Sequence, residues 1–413
     1  MTQRGLILLE QQRYPEAEKY FRDALASEPN DPVALYHLAI CQSHQHREKE
    51  ALETVDRALS LEPNDGDFHA LKSLILIDLR RVKEALVESE EALRLDPDSD
   101  IALNSRAASL LSNKEWAMGE HAARKALEIN PENHFASTQL AYALRMQNRL
   151  EESAEQTSYM LEQDPDNTSN HTTAGWLCLQ RGDNKGAETH FLEALRLHPN
   201  NHGAREGLKE AFKARSFIYR RYLQYCFFMQ RLTSGNQWLV FIGLIFAVNI
   251  GKNLLPYPWN IGLIVTYFLF VLWVHVARAV GNFQIQFDPV ARHSLSAGEK
   301  WEASIVGGGV TLGLPFFIIG IIFGLQPLLI SGATLMAAAF PLTYTFNNEV
   351  TAGRYIFGAT GLFIYVVGAA NLLHEFSDSG RDEGLAGLTT IAWFAVIAVT
   401  WLCNVPSLNR RRY

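Results

Sequence analysis

Prolines recur every 34 residues through the first half of the chain, and no other feature constrains its fold as strongly. Positions 24, 12 and 5 residues before each proline hold Ala, Gly or Ser, and only Met160 breaks that rule. The six prolines are Pro29, Pro63, Pro97, Pro131, Pro165 and Pro199. A period of this length is typical of stacked supersecondary units, so the pattern predicts an array rather than one globular core.

Small side chains at fixed positions indicate two helices that pack closely as a hairpin. Larger apolar residues, such as Phe21, Val55 and Phe191, stand eight residues before their prolines and fill the space around the helix crossing. Proline cannot continue the second helix, and Asn or Asp beside it favours a turn into the next hairpin. One hairpin cannot bury its own apolar face, whereas six stacked hairpins can. We therefore predict an all-α solenoid over residues 1–201.

The repeat resembles the tetratricopeptide repeat family, with six copies that keep one register without an insertion. The family's tryptophan on the first helix of each hairpin is mostly replaced here, for example by Leu35 and Leu103. The resemblance implies that side chains of the first helices line a concave groove for a protein partner. By register, these positions are Tyr36, Ile40, Leu74, Ile77, Asn104, Ala108, Phe135, Tyr142, Arg145, Trp176 and Leu179.

The chemical character of these groove positions indicates what they can bind. Most are apolar or aromatic, which suits a helix or an extended apolar peptide better than a terminal carboxylate. The alternative is that several of these side chains pack between neighbouring helices and are not available to a ligand.

The two halves of the chain differ in charge. Residues 1–204 carry 21 Lys and Arg against 34 Asp and Glu, a net charge of −13, while the rest carries 16 against 10, a net charge of +6. An acidic first half argues against nucleic-acid binding, which needs a basic surface to displace counterions. The four cysteines are scattered and form no CxxC pair, so neither a disulfide framework nor a zinc site is indicated.

Six apolar runs in the second half are long enough, or nearly so, to cross about 30 Å of hydrocarbon. They cover residues 237–255, 259–280, 303–325, 327–346, 354–374 and 385–404. Of the 16 Lys and Arg residues after residue 204, 14 fall on one side of these runs. The positive-inside rule then places the repeats and the short basic tail, 405–413, in the cytoplasm. We expect a six-helix bundle in the bacterial cytoplasmic membrane.

Residues 202–236 join the two halves and resemble neither. The apolar residues from Leu208 to Phe212 are predicted to cap the open end of the solenoid. Arg205, Lys209 and Lys213 are predicted to form a stripe that faces away from the core.

A second segment of this junction mixes aromatic and basic residues next to the first apolar run. This combination predicts a helix that lies in the membrane interface. RNA stacking is the alternative reading, and the neighbouring span argues against it. The predicted anchors are Tyr219, Arg220, Arg221, Tyr222, Phe227, Phe228 and Trp238.

Few residues of the apolar runs are chemically distinctive. His275 and Arg278 lie in the second run, and ionisable groups inside a membrane are functional candidates. Both fall near its cytoplasmic end, where an arginine can extend to the interface. The third run carries two GxxxG pairs, which are typical of closely packed helices. These pairs are Gly309 with Gly313 and Gly320 with Gly324.

We predict no metal site and no cofactor. Glu375, Asp378, Asp382 and Glu383 lie in the loop between the fifth and sixth runs and could bind a hard cation. Their spacing fits no known loop template, so a solvated acidic loop is favoured. No phosphate loop, nucleophile elbow or zinc-protease motif occurs.

These observations predict a membrane-anchored scaffold that binds a protein partner at the cytoplasmic face and assembles or stabilises an integral membrane complex. Two alternatives stay open. One is a transporter or channel with a regulatory solenoid, in which His275 and Arg278 are the best candidate residues. The other is a membrane enzyme that acts on a lipid-linked substrate, although no carboxylate or histidine cluster supports it. We expect no enzymatic activity.

Overall fold

The computed structural model describes residues 2–289, 291–346, 348–376, 383–403, 405 and 407–409. The described residues form helices and connecting turns, with no β-strand among them, and the prediction of an all-α fold is confirmed. The chain divides into two compact units. The first comprises residues 1–201 with Gln230–Thr233, and the second comprises His202–Met229 with the rest of the chain from Ser234.

Twelve helices of the first unit form six consecutive hairpins, as the repeat predicts. Their bounds are α1 Thr2–Glu10, α2 Tyr14–Ser27, α3 Pro32–His44, α4 Glu48–Leu61, α5 Gly66–Asp78, α6 Val82–Leu95, α7 Asp100–Ser112, α8 Trp116–Ile129, α9 His134–Met146, α10 Leu150–Gln163, α11 Thr168–Arg181 and α12 Asn184–Leu197.

The turn between repeats follows directly from the residues around each proline. The second helix ends two residues before the proline, and the residue two positions after the proline caps the next helix. Asp31, for example, accepts hydrogen bonds from the backbone N–H groups of Val33 and Ala34 at 3.0 and 3.1 Å. Asp65, Ser99, Asn133 and Asn167 cap the following first helices in the same way.

The small residues of the repeat allow the two helices of a hairpin to touch. A Cβ atom added at Gly175 would lie 2.6 Å from a ring carbon of Phe191, and one added at Gly5 would lie 2.9 Å from the Phe21 ring. Phe21 and Phe191 are both fully buried. The predicted pairing of small residues with a large apolar neighbour is therefore present in the first and last hairpins.

In the part of the second unit that the structure describes, ten further segments are α-helical or π-helical. They are α13 His202–Lys213, α14 Phe217–Arg231, α15 Ser234–Leu254, α16 Trp259–Ile285, α17 Ala297–Glu302, a π-helical segment Ala303–Gly307, α18 Gly308–Phe323, α19 Gln326–Thr343, α20 Thr351–Phe376 and α21 Glu383–Leu402. A short 3-10 turn, Ala291–Ser294, precedes α17. The sequence did not predict the π-helical segment, which interrupts what was expected to be one regular span.

Among the residues that the structure describes, four helical stretches are long and apolar enough to cross a membrane, judged by length and composition alone. They are Gly235–Leu254, Ala297–Phe323, Gln326–Thr343 and Thr351–Glu375. The last predicted span contains a shorter apolar helix, Gly384–Val399. The second predicted span coincides with α16, which is helical throughout. The helices thus fall where the apolar runs predict them, while the count of six spans stays a prediction.

The glycines of α18 are packed against α19 and α20. A Cβ atom at Gly313 would lie 2.9 Å from Leu335 Cβ, and one at Gly320 would lie 2.5 Å from the backbone nitrogen of Leu329. One at Gly309 would lie 3.4 Å from the hydroxyl oxygen of Tyr365. Gly324 has a different role from the one predicted, because it ends α18 with a φ of 66° and nothing lies within 4 Å of an added Cβ.

Candidate functional sites

The predicted groove residues all lie on the first helices of their hairpins, but they are not equally accessible. Phe135 and Tyr142 on α9 are 48% and 37% exposed, which makes them the most open of the aromatic residues in the set. Tyr36, Ile40, Leu74, Ile77, Ala108 and Trp176 are half-buried. Asn104, Arg145 and Leu179 are buried. These three side chains are therefore not accessible in the way that the groove prediction requires.

Several of these side chains pack between helices, which is the alternative that the sequence leaves open. The Tyr36 ring stacks on the Phe68 ring of the next repeat, with centroids 5.2 Å apart. The Trp176 ring meets the Phe191 ring edge-on at 5.5 Å within its own hairpin. These two aromatic residues therefore contribute to the solenoid core as well as to its surface.

The middle of the solenoid presents an aromatic cluster around Tyr142. Trp116 at the start of α8 packs edge-on against the Tyr142 ring at 6.0 Å, and the Arg145 guanidinium lies 5.3 Å from the centre of that ring. Arg145 also donates a hydrogen bond to Gln180 Oε1 at 3.2 Å. Burial lowers the pKa of Arg145 to about 10. A desolvated guanidinium above an exposed aromatic ring is a feature of protein-binding hot spots.

Two amide side chains beside this cluster are also buried. Gln139 donates from Nε2 to the backbone carbonyl of Asn104 at 3.1 Å. The side-chain oxygens of Asn104 and Gln139 are buried without a hydrogen-bond partner among the described residues. The sequence indicated Asn104 but not Gln139, because Gln139 stands one position away from the register of the groove.

The segment Gln230–Thr233 belongs to the first unit and contacts α8 and the turn before it. Trp116 Nε1 donates to the backbone carbonyl of Arg231 at 2.8 Å, and Lys114 Nζ donates to that of Leu232 at 2.9 Å. These carbonyls lie at the end of α14, where a helix leaves acceptors without internal partners. Burial lowers the pKa of Lys114.

The second unit contains a buried charge cluster that the sequence did not reveal. Lys209 and Lys213 on α13 are only 3% and 1% exposed, which corrects the prediction of a stripe facing away from the core. Lys209 Nζ lies 2.9 Å from Glu299 Oε1 on α17, and it also pairs with Glu206 one turn back on its own helix. Arg278 on α16 lies 3.6 Å from the same Glu299 oxygen.

A second part of this cluster centres on Glu210. Lys213 Nζ lies 2.9 Å from Glu210 Oε1, and the Tyr219 hydroxyl on α14 donates to Glu210 Oε2 at 2.8 Å. Burial raises the pKa of Glu210, but the charge of Lys213 and the two hydrogen bonds outweigh this effect and leave the pKa below its usual value. Burial raises the pKa of Tyr219 well above its usual value, so Tyr219 stays a hydrogen-bond donor.

The α16 helix supplies the surface on which these groups meet. A Cβ atom at Gly281 would lie 2.7 Å from Tyr219 Cε2 and 3.0 Å from Lys213 Cδ, so only glycine leaves room for both side chains. Asn282 is 0% exposed, and neither atom of its amide has a hydrogen-bond partner among the described residues. Arg278 Nε, one helical turn earlier, is also buried without a hydrogen-bond partner among the described residues.

His275 lies three residues before Arg278 and packs against Phe340 on α19. Its Nδ1 lies 2.7 Å from the backbone carbonyl of Val271, and its ring packs edge-on against Phe340 at 4.7 Å. His275 and Arg278, which the sequence singled out together, therefore have different surroundings.

The predicted interfacial anchors divide between the inside and the outside of the second unit. Tyr219 and Phe227 are buried, and Tyr222 and Arg220 are half-buried. Arg221, Phe228 and Trp238 are exposed. α14 thus has one buried face, which holds Tyr219 and Phe227, and one open face, and its place at a membrane interface stays a prediction. α13 belongs to this unit, where it contacts α16 and the turn Ala291–Ser294, and its role as a cap of the solenoid stays a prediction.

Part of the acidic loop lies outside the described residues. This applies to Asp378 and Asp382, to the side chain of Glu383, and to the basic tail at Arg410, Arg411 and Arg412. Among the residues that the structure describes, no three His, Cys, Asp or Glu side chains are grouped to hold a metal ion.

The spacing of charges on α13 is the signal that could have revealed the cluster. Glu206 precedes Lys209 by three residues, and Glu210 precedes Lys213 by the same interval. Pairs at this spacing share one helix face and can neutralise each other on burial. The acidic partner Glu299 is 90 residues further along the chain than Lys209, so no local pattern points to it.

Comparison with known proteins concerns the repeats. A family model described as tetratricopeptide repeat matches residues 8–75. No curated protein matches the sequence. Similar solved structures include PilF of Pseudomonas aeruginosa, with 20% identity over 50% of this chain and 93% of that one and a TM-score of 0.38. PilW, described as a widely conserved type IV pilus biogenesis factor, shares 18% identity over 50% of this chain and 96% of its own, with a TM-score of 0.41.

Proposed function

From the tetratricopeptide repeats of its N-terminal region, we propose that this chain is a membrane-anchored adaptor that binds a protein partner through the first helices of its solenoid. The observation that carries the proposal is the exposure of Phe135 and Tyr142 on α9, with the half-buried Trp116 and the buried Arg145 against the Tyr142 ring. Aromatic residues and arginine dominate the binding energy of protein interfaces. An apolar helix or extended peptide is the partner that suits this surface.

Membrane anchoring is supported by the four long apolar helices of the second unit. Large apolar side chains on α15, such as Trp238, Phe246 and Leu254, are exposed. A soluble protein rarely exposes so extended an apolar surface, whereas lipid covers it without cost. We propose that the repeats and the C-terminus share the cytoplasmic side, from the excess of basic residues on that side of the apolar runs.

The role that we propose is assembly or stabilisation of an integral membrane complex. An adaptor fixed in the bilayer meets membrane-bound partners in two dimensions, which raises the effective concentration of a second contact after the first. The adaptor needs no catalytic step, and binding energy alone supplies its function.

Quantitative co-purification of the full chain from gently solubilised membranes tests this proposal. A stoichiometric partner should be recovered with the unaltered chain and reduced at least about tenfold by Phe135→Ala combined with Tyr142→Ala, the loss expected for interface hot spots. Tyr159→Ala is the matched control, because Tyr159 is equally exposed but lies on a second helix. Equal recovery with all three proteins would contradict the proposal.

A further inference from the structure

We propose that α13 and α14 form a releasable strap, which docks on α16 and α17 in one register and is held there by the buried charge cluster. The cluster comprises Glu206, Lys209, Glu210, Lys213, Tyr219, Arg278 and Glu299. It is a conformational device, and its docking does not depend on whether the solenoid binds a partner.

The buried charges of the docked face indicate that it specifies one docking register more than it adds to the stability of docking. Removing charged groups from water is expensive, and apolar side chains of the same size often stabilise an interface as well or better. The strap has apolar residues available, since Leu208, Phe212 and Phe227 are buried in the same unit. A chain that needed only a permanent contact could have extended this apolar face. Buried ionic groups are best attested as devices that specify one register.

Each contact of the cluster also depends on another. Glu299 faces both Lys209 and Arg278, and Glu210 faces both Lys213 and Tyr219. Loss of one charge leaves a partner buried without compensation, and this is more costly than loss of the whole pair. Docking of the strap should therefore be all-or-none, with α13 and α14 released together.

Two features of α16 set the position of the strap and limit its stability. The absence of a side chain at Gly281 creates a notch that receives Tyr219 and the Lys213 stem. One position further on, Asn282 is fully buried without a hydrogen-bond partner among the described residues. A buried polar group in this condition carries a desolvation penalty. The docked state thus combines a specific fit with an internal cost, as a releasable element requires.

Hydrogen exchange of the full chain in lipid nanodiscs tests the proposal. Glu299→Gln should make the amides of α13 and α14 exchange at least about tenfold faster, and as one unit, because it removes the carboxylate that both Lys209 and Arg278 face. Combining Lys209→Met with Glu299→Leu should restore part of the protection, since the double change also removes the buried lysine, while Arg278 still lacks Glu299. Asn282→Leu should slow exchange, because it replaces an unpaired amide with an apolar group of similar size.

Arg205→Met is the matched control, because Arg205 is an exposed basic residue on the same helix. It should leave exchange unchanged, and exchange of α2–α12 should be the same in every variant. If Glu299→Gln cannot be purified, Glu299→Asp keeps the charge but shortens its reach, and an intermediate acceleration is expected. Unchanged exchange in Glu299→Gln would overturn the proposal. If Glu299→Asp has to be used instead, unchanged exchange in that variant would overturn it. A double variant no better protected than Glu299→Gln would overturn it as well.

Discussion

Six residues of the solenoid adopt a left-handed backbone conformation, one at the turn inside each hairpin. They are Gln12, His46, Arg80, Lys114, Asn148 and Gly182, with φ values between 57° and 84°. Each stands 34 residues after the last, so the repeat dictates the turn as firmly as the helices. Glycine adopts this conformation without strain, and asparagine and histidine adopt it more often than most other residues, so Gly182, Asn148 and His46 are compatible with it. The residue types at Gln12, Arg80 and Lys114 do not indicate it.

Arg80→Gly should therefore stabilise the solenoid by about 0.5–1 kcal/mol, since glycine relieves the strain of the left-handed conformation. Gly182→Ala should destabilise it by roughly 1–2 kcal/mol. No atom lies within 4 Å of an added Cβ at Gly182, so the cost comes from the backbone alone. Urea unfolding of the full chain, followed by tryptophan fluorescence, measures both changes. Equal midpoints for the two variants would contradict this account of the turns.

Glu18 and Glu120 occupy equivalent positions three repeats apart and bind the following repeat in the same way. Glu18 accepts hydrogen bonds from Arg22, Gln45 and Arg47 at 2.7–3.0 Å. Glu120 accepts them from Arg124, Gln147 and Arg149 at 2.7–2.9 Å. Burial raises the pKa of each glutamate, but the hydrogen bonds outweigh it and the pKa falls below its usual value.

The solenoid should lose stability in acid through these two residues. Because the folded pKa is lowered, their stabilisation is complete above the unfolded value, about 4.3, and is lost as pH falls through the lower folded value. Glu18→Gln with Glu120→Gln should cost about 1–3 kcal/mol per site at pH 6, and this difference should shrink towards pH 3. Urea unfolding across that pH range measures it. Glu193→Gln, which alters an exposed pair with Arg196, should show little effect, and a difference that persisted at pH 3 would refute the prediction.

At the scale of single elements, the helices of the solenoid agree closely with the prediction from sequence, whereas the burial of α13 does not. The periods of small residues and prolines fix each hairpin, because every contact that decides them is local or one repeat away. In α13, the basic residues Lys209 and Lys213 read as a solvent-facing stripe. Their burial depends on Glu299 and on the notch at Gly281, which lie far along the chain. The spacing of charges on α13 is compatible with burial, but no local pattern could have predicted Glu299 or the notch as its surroundings.

The notch in α16 gives a prediction for this element. Gly281→Ala should release α13 and α14 together from α16, because the new methyl group would overlap Tyr219 and the Lys213 stem. Limited trypsin digestion of the detergent-solubilised full chain should then cut after Arg215, Arg220 or Arg221 several times faster. Gly235→Ala is the control, since nothing lies within 4 Å of an added Cβ there. Equal cutting rates in the two variants would show that α16 tolerates the methyl group.

At the scale of the whole molecule, the division into two unlike halves could be predicted from charge and apolarity alone. The helix positions in both halves could be predicted as well, because the apolar runs and the repeat period mark them. The junction was the part that composition could not resolve. Its aromatic residues divide between a buried and an open face, and this depends on α16 rather than on their own order.

Anchoring in the bilayer yields a prediction for the intact chain. The protein should stay with membranes after extraction at alkaline pH, because exposed apolar helices cannot leave lipid without a large penalty. An epitope inserted after Leu255 should be accessible from outside spheroplasts, while one at the N-terminus should become accessible only after permeabilisation. Release into the alkaline supernatant would contradict membrane insertion, and labelling of both epitopes in intact spheroplasts would contradict the proposed orientation.

The constant register of the repeats has a consequence for how such a chain can change over generations. The capping residue after each proline and the left-handed residue inside each hairpin recur at the same interval, without an insertion. Loss or duplication of one 34-residue unit therefore joins equivalent positions, and the packing between neighbouring repeats stays of the same kind. This half of the chain should therefore tolerate insertion or deletion of whole repeats. An insertion or deletion of a few residues would instead misplace every turn that follows.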